Sequence, residues 1–231
     1  NPGTRTVETV TTYAGLDYAL SDRLNLSAEL GYVDSEEEDF DIIDRVRGPE
    51  ASLGLTYDMP VGTASALLQV TNDADEGQRE TFELGRDLEL PTSTISARLG
   101  VTHADTTGSD LIGSLRWDHR LPDGTIGLNL SRRVSYDTDA DEAVTYSVVG
   151  MNWTKNISDL SSVSLDLTYE TSNQPSENIE QVTFGAGYSY RLTQDWSLDS
   201  GVGYRIRNDG DGRAESPNLF VSISRDFELR P

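Results

Sequence analysis

The chain has 231 residues, with 40 acidic and 18 basic side chains and a formal net charge of −22. This balance argues against nucleic acid as a partner, since phosphate binding needs clustered cations, and the absence of cysteine excludes disulfides, thiolate metal sites and thiol catalysis. No glycine-free apolar run is longer than Ala66-Leu67-Leu68, so the chain cannot supply the roughly 20 apolar residues of a membrane-spanning helix. Ten Tyr, three Trp and five Phe, set in regular alternation, argue against the disorder that so acidic a composition otherwise suggests.

A period of two runs through nearly the whole chain and places alternate side chains on opposite faces. It predicts thirteen strands in chain order, over 4–20, 24–34, 48–58, 62–72, 78–90, 93–104, 109–121, 124–136, 141–155, 161–171, 180–192, 195–207 and 216–229. Early on, Leu24, Leu26, Ala28, Leu30 and Tyr32 alternate with Asn25, Ser27, Glu29 and Gly31. In the last third, Val182, Phe184, Ala186, Tyr188 and Tyr190 alternate with Thr183, Gly185, Gly187, Ser189 and Arg191. Short turns such as Ser21-Asp22-Arg23 and Ser158-Asp159-Leu160 take turns with longer acidic stretches near 35–47, 73–77, 105–108, 137–140, 172–179 and 208–215. Alternating short and long connections are what an up-and-down antiparallel meander produces, and they also describe the two ends of a transmembrane β-barrel.

A soluble barrel turns its polar face outward. The polar stripe here is rich in Gly, Ser, Thr and Asn, and Lys155 is the only lysine beside seventeen arginines, which is a poor soluble exterior. Aromatics fall where the apolar stripe ends, as interfacial girdles do: Tyr18, Tyr32, Tyr57, Trp117, Tyr136, Tyr169, Tyr190, Trp196 and Phe227. The reading is therefore an all-β fold, a transmembrane up-and-down antiparallel β-barrel formed by 1–231 as one domain. Thirteen strands leave both terminal strands running the same way, whereas single-chain bacterial barrels use even numbers. That parity predicts one further strand, or a larger odd number, preceding Asn1.

The closing strand, with Leu219, Val221, Ile223 and Phe227, resembles the C-terminal signal of Gram-negative outer-membrane barrels. The segment Ser216-Pro217-Asn218-Leu219-Phe220-Val221-Ser222-Ile223-Ser224-Arg225-Asp226-Phe227 is also similar to the ending of porin-like barrels associated with exopolysaccharide-export systems. The resemblance implies outer-membrane localisation and a channel for polar solutes or a secreted polysaccharide. Its alternative is an occluded scaffold barrel that anchors an envelope assembly.

Residues on the polar stripe would line the pore. The candidates are Glu29, Asp58, Glu83, Asp87, Arg98, Arg116, Arg133, Asp166, Arg191, Asp199 and Arg205, with Glu89, Asp118, Arg120, Glu170, Arg207 and Asp226 on the same stripe. Opposed arginines and carboxylates create a transverse field that orients polar solutes, or neutralise each other across a plugged interior. Seven arginines against ten acids predict weak cation selectivity. Arg86 and Arg132 fall on the apolar stripe, which points to a register shift or to positions near an interface. Strand 141–155 loses phase between Val148 and Trp153, as a β-bulge would cause. Glu36-Glu37-Glu38-Asp39 with Asp41 reads as a solvated acidic loop, and Asn208-Asp209-Gly210-Asp211-Gly212 reads as a turn.

An enzyme needs a nucleophile or activated water beside a positioned base. His103 and His119 are the only histidines, their strand positions put them at opposite ends, and Asp118 points away from His119. The expectation is a non-enzymatic protein with no cofactor or metal. Its partners are outer-membrane lipid and lipopolysaccharide, and an envelope or secretion protein under the scaffold alternative.

Overall fold

A computed structural model describes residues 6–39, 42–73, 77–105, 108–137, 142–210 and 212–225. Among them lie thirteen strands: β1 Thr6–Ser21, β2 Leu24–Asp39, β3 Ile42–Asp58, β4 Thr63–Asp73, β5 Gly77–Glu89, β6 Ser93–Ala104, β7 Gly108–Leu121, β8 Gly124–Asp137, β9 Glu142–Ser158, β10 Ser161–Asn173, β11 Asn178–Arg191, β12 Trp196–Asp209 and β13 Gly212–Arg225. They form one sheet in sequence order, an antiparallel meander. Each strand expected from the alternation is present. The chain groups into two compact units, each taken by itself: Asn1–Glu89 with Ser96–Gly113 and Arg133–Val144, and Leu90–Ile95 with Ser114–Arg132 and Thr145–Pro231.

Register converts the period of two into rows. In the first unit, Leu16, Ala28, Leu53, Leu68 and Phe82 stand opposite one another across five strands. On the other face run Gly15, Glu29, Ser52, Gln69 and Thr81. In the second unit, Trp153, Leu165, Ala186, Val202 and Leu219 form one row, and Asn152, Asp166, Gly185, Gly203 and Asn218 form the opposite one. Partners directly across a ladder share a face, so the apolar and polar stripes predicted strand by strand become continuous surfaces.

The apolar surface is the exposed one. Among the described residues, thirty-five large hydrophobic side chains are exposed, Leu30 at 67% and Leu219 at 76% among them, while Val33, Ala104 and Val144 are the buried hydrophobics. Thr102 is buried with them, at 1% exposure.

Several expectations need correction. The connections do not alternate short and long: the intervals between consecutive strands are two to four residues throughout. The stretch 35–47 lies largely in β2 and β3, which stay paired out to Asp39 opposite Ile42. At its base Arg47 Nε meets Asp34 Oδ1 at 3.0 Å. Acidic composition reads as loop, yet the backbone ladder continues through it. The stretch 208–215 is likewise mostly strand, with Asp209 opposite Gly212. The final strand is Gly212–Arg225 rather than 216–229, and Asp226 and Phe227 lie outside the described residues, as do the side chains of 35–46 and of Tyr136.

The predicted bulge between Val148 and Trp153 is absent; β9 and β10 stay in register there, with Val148 opposite Glu170 and Trp153 opposite Leu165. The phase loss comes from Val148 occupying the polar face. The irregularity lies instead at Ile157, between the Asn156–Ser162 and Ser158–Ser161 pairs. Arg86 needs no register shift. Opposite Ala64 and beside the β3–β4 turn, it donates from Nη2 to the Val61 carbonyl at 2.8 Å.

Gly62 closes that end of β5. Its φ of +74° lies in the left-handed region, and a side chain there would overlap the Asp87 carbonyl. Replacing Gly62 with Ala should therefore cost about 1–2 kcal/mol from the backbone conformation alone and more from the overlap, read as a lowered unfolding midpoint in urea.

Candidate functional site, a polar face built on small residues

Elements of the first unit bring three predicted pore residues together. Arg98 on β6 reaches back to β5, with Nη2 3.4 Å from Asp87 Oδ2 and Nε 3.9 Å from Glu83 Oε1. Asp87 also accepts from Thr63 Oγ1 at 3.5 Å and from the Ser96 hydroxyl. Asp58 joins the same row, because it stands opposite Thr63, which stands opposite Asp87. Gly85 makes the arrangement sterically feasible: a methyl group there would strike the Arg98 guanidinium and the Ser65 hydroxyl. One cation thus serves two carboxylates, leaving the cluster one negative charge. The groups are partly exposed, so the pairing orients them more than it stabilises the fold.

The remaining candidates share the polar face without such clustering. Glu29 stands opposite Gly15 and Ser52, Asp166 opposite Asn152 and Gly185, and Arg205 opposite Thr183 and Ser216. Asp199 pairs with Ser189, and Arg191 with Ser197, placing these two charges on a diagonal of the ladder. Arg116 Nε meets Asp118 Oδ2 at 2.6 Å along β7. Arg133 is exposed on β8.

Two residues with defined partners were missed from the sequence. Arg79, on β5, has the parity of Glu83 and Asp87, so alternation alone would have found it. Its Nη1 donates to Thr102 Oγ1 at 3.4 Å and to the Val134 carbonyl at 3.3 Å. Ser93 Oγ shares a 2.6 Å hydrogen bond with His119 Nδ1, and the imidazole stacks on Trp117 with centroids 5.8 Å apart. Nothing in the spacing of 93 and 119 announces that pair. The two residues border a pocket of about 230 Å³ that Arg120, Thr125 and Asn152 also line. Asp118 lines it too, but its carboxylate is taken by Arg116, in keeping with the expectation that it does not orient His119. His103 bonds Ser109 at 2.9 Å. Among the described residues no group of three or more His, Asp or Glu side chains is arranged to hold a metal ion.

No protein-family model matches the chain, and no curated protein does. Solved structures give distant likenesses. The trimer form of OmpT, an outer-membrane protein of Vibrio cholerae, is 12% identical, with 96% of this chain and 98% of that one covered and a TM-score of 0.46. OccAB4 of Acinetobacter baumannii is 14% identical over 94% of this chain and 66% of that one, at 0.46. An anion-selective porin from Comamonas acidovorans is 11% identical over 94% and 90%, at 0.44.

The Ser93–His119 bond ties the β5–β6 hairpin to β7. A double-mutant cycle of Ser93→Ala and His119→Phe should return a coupling of about 0.5–1.5 kcal/mol in unfolding free energy; additive single effects would show the contact to be idle.

Proposed function

We propose that the chain is the wall of a non-enzymatic channel in a bacterial outer membrane, passing polar solutes or a secreted polysaccharide. The exposed apolar surface carries this reading. Monomeric soluble proteins rarely expose a contiguous apolar patch beyond a few hundred Å², whereas rows such as Trp153, Leu165, Ala186, Val202 and Leu219 run from strand to strand. Lipid is the solvent that such a surface suits, and a strand ladder is one of two ways to satisfy backbone groups there. Partly exposed aromatics along these strands, Tyr18, Tyr32, Tyr57, Tyr169 and Trp196 among them, suit headgroup-level positions. Lipid and lipopolysaccharide are the partners that follow from this placement.

The polar face supplies the solute path. Its rows mix Ser, Thr, Asn and Gly with isolated charges, which is the lining of a wetted lumen rather than of a packed core. A scaffold reading has one observation in its favour, the burial of Thr102, Ala104 and Val144. Such packing belongs to an occluded level.

Spin labels on Phe184 and Val202 should report an apolar, oxygen-accessible environment in bilayers, and labels on Ser189 and Gly203 should meet polar relaxation agents. The inverse result would make the polar face the exterior and end the membrane reading. Reversal potentials across a salt gradient test the charges. Weak cation preference is expected of the unmodified channel, and Glu83→Gln with Asp87→Asn should lower it, since Arg98 then stands unpaired. Arg205→Gln should raise it. Pure anion selectivity in the unmodified protein would contradict the charge assignment.

A further inference from the structure

We infer that a cavity on the polar face of the first unit binds the charged head of an organic cation, an alkylammonium or a guanidinium. This deepens the channel reading by naming a class of polar solute, and the solute assignment rests on that reading. The cavity, of about 120 Å³, is lined by Tyr13, Glu29, Glu50, Ser52, Gln69 and Thr71. Register gathers them from two neighbouring rows. Tyr13 stands opposite Gly31 and Gly31 opposite Glu50, while the adjoining row runs Glu29, Ser52, Gln69. Gly31 leaves the opening. A Cβ there would strike the Tyr13 ring, which lies over the glycine and so leans toward the strand that carries Glu50.

The chemistry of the lining selects the ligand. Glu29 and Glu50 are diagonal neighbours across the β2–β3 ladder, where like charges repel. Glu83 and Asp87 share Arg98, whereas neither Glu29 nor Glu50 has an ion-pair or side-chain hydrogen-bond partner among the described residues. Arg79, opposite Thr71, turns away to Thr102 and to the Val134 carbonyl. Carboxylates accept hydrogen bonds and cannot donate them, so the complementary group is a cation rich in donors, such as an ammonium with three. Diagonal Cβ atoms stand about 7–8 Å apart, and glutamate side chains close that gap to the ~6 Å that two N–H···O bonds through one nitrogen require. The Tyr13 ring supplies an electron-rich face for the charge and an apolar surface for the methylene beside it. Gln69, Ser52 and Thr71 offer oxygens to the remaining donors. A bare metal ion is served less well, since among the described residues no three acidic or histidine side chains converge. The cavity is smaller than the roughly 300 Å³ or more of pockets that enclose a drug-sized ligand, so it admits a head group and leaves the rest of the solute outside.

Titration calorimetry of the folded full chain in detergent tests the site, with spermidine as the probe and Mg²⁺ and glucose as comparisons. Salt at about 0.15 M screens long-range attraction to the net charge of −22. Spermidine should saturate one site. Glu29→Gln with Glu50→Gln should weaken it about tenfold or more, and Tyr13→Leu about two- to fivefold. Asp159→Asn, in the β9–β10 turn, should leave it unchanged. Where the double variant fails to fold, Tyr13→Leu and competition by Mg²⁺ carry the test. Equal weakening by Asp159→Asn, or displacement of spermidine by Mg²⁺ at equal concentration, would reduce the binding to bulk charge and overturn the site. Glucose bound while spermidine is ignored would make the cavity a saccharide site and overturn the cation. Planar-bilayer recordings separate the two readings. Current block by spermidine that the double glutamine variant relieves supports both, and conductance indifferent to saturating spermidine overturns the solute assignment. A conducting protein that does not bind spermidine overturns the site and leaves the channel standing. A silent protein that binds it, with the expected losses in the variants, overturns the channel and leaves the site standing.

Discussion

Everything in this fold depends on continuous backbone pairing between sequence neighbours. Among the described residues Val33, Ala104 and Val144 are the buried hydrophobics, too few for a conventional core, and large apolar side chains stand exposed where a soluble protein would be wet. The ladder satisfies the backbone strand by strand, and in hydrocarbon each unsatisfied group would cost several kcal/mol. On the proposed reading, hydrophobic side chains stabilise by matching lipid rather than by hiding from water. The same geometry gives every strand two faces, so one alternation specifies both an apolar face and a polar one.

The polar face works through unequal residue sizes. Rows of serine, threonine, asparagine and glycine leave space into which a few long side chains fold. Arg98 lies over Gly85 to reach two carboxylates, and Arg79 reaches past its neighbouring strands to the backbone of β8. Both arginines bind groups on other strands, which limits their freedom and gives each charge a fixed position. A charge held still defines a field; one that samples many rotamers is averaged and screened.

Strand existence was legible because period two survives wherever the two faces meet different surroundings, as over 182–192. Strand length was harder, since the acidic run after Val33 lacks that period, while the backbone pairing runs on to Asp39 opposite Ile42. Val148 misled in the opposite way: an apolar residue on the polar face imitates a bulge, while the real irregularity at Ile157 leaves the alternation before it intact. The shared face of Glu83, Asp87 and Arg98 was legible from parity. Contacts across the sheet, such as Arg79 with Val134 or Ser93 with His119, depend on curvature and stagger that no local pattern encodes.

The β2–β3 ribbon continues beyond the last apolar rows for seven residues, from Val33 to Asp39, a distance of about 23 Å at ~3.3 Å per residue. Backbone pairing continues there without the apolar and polar alternation of the rows below, so it depends on the ladder alone. Removing one residue pair would shorten both strands together and leave the register below untouched. The ribbon is thus where the sheet can change its length without altering the wall that carries it.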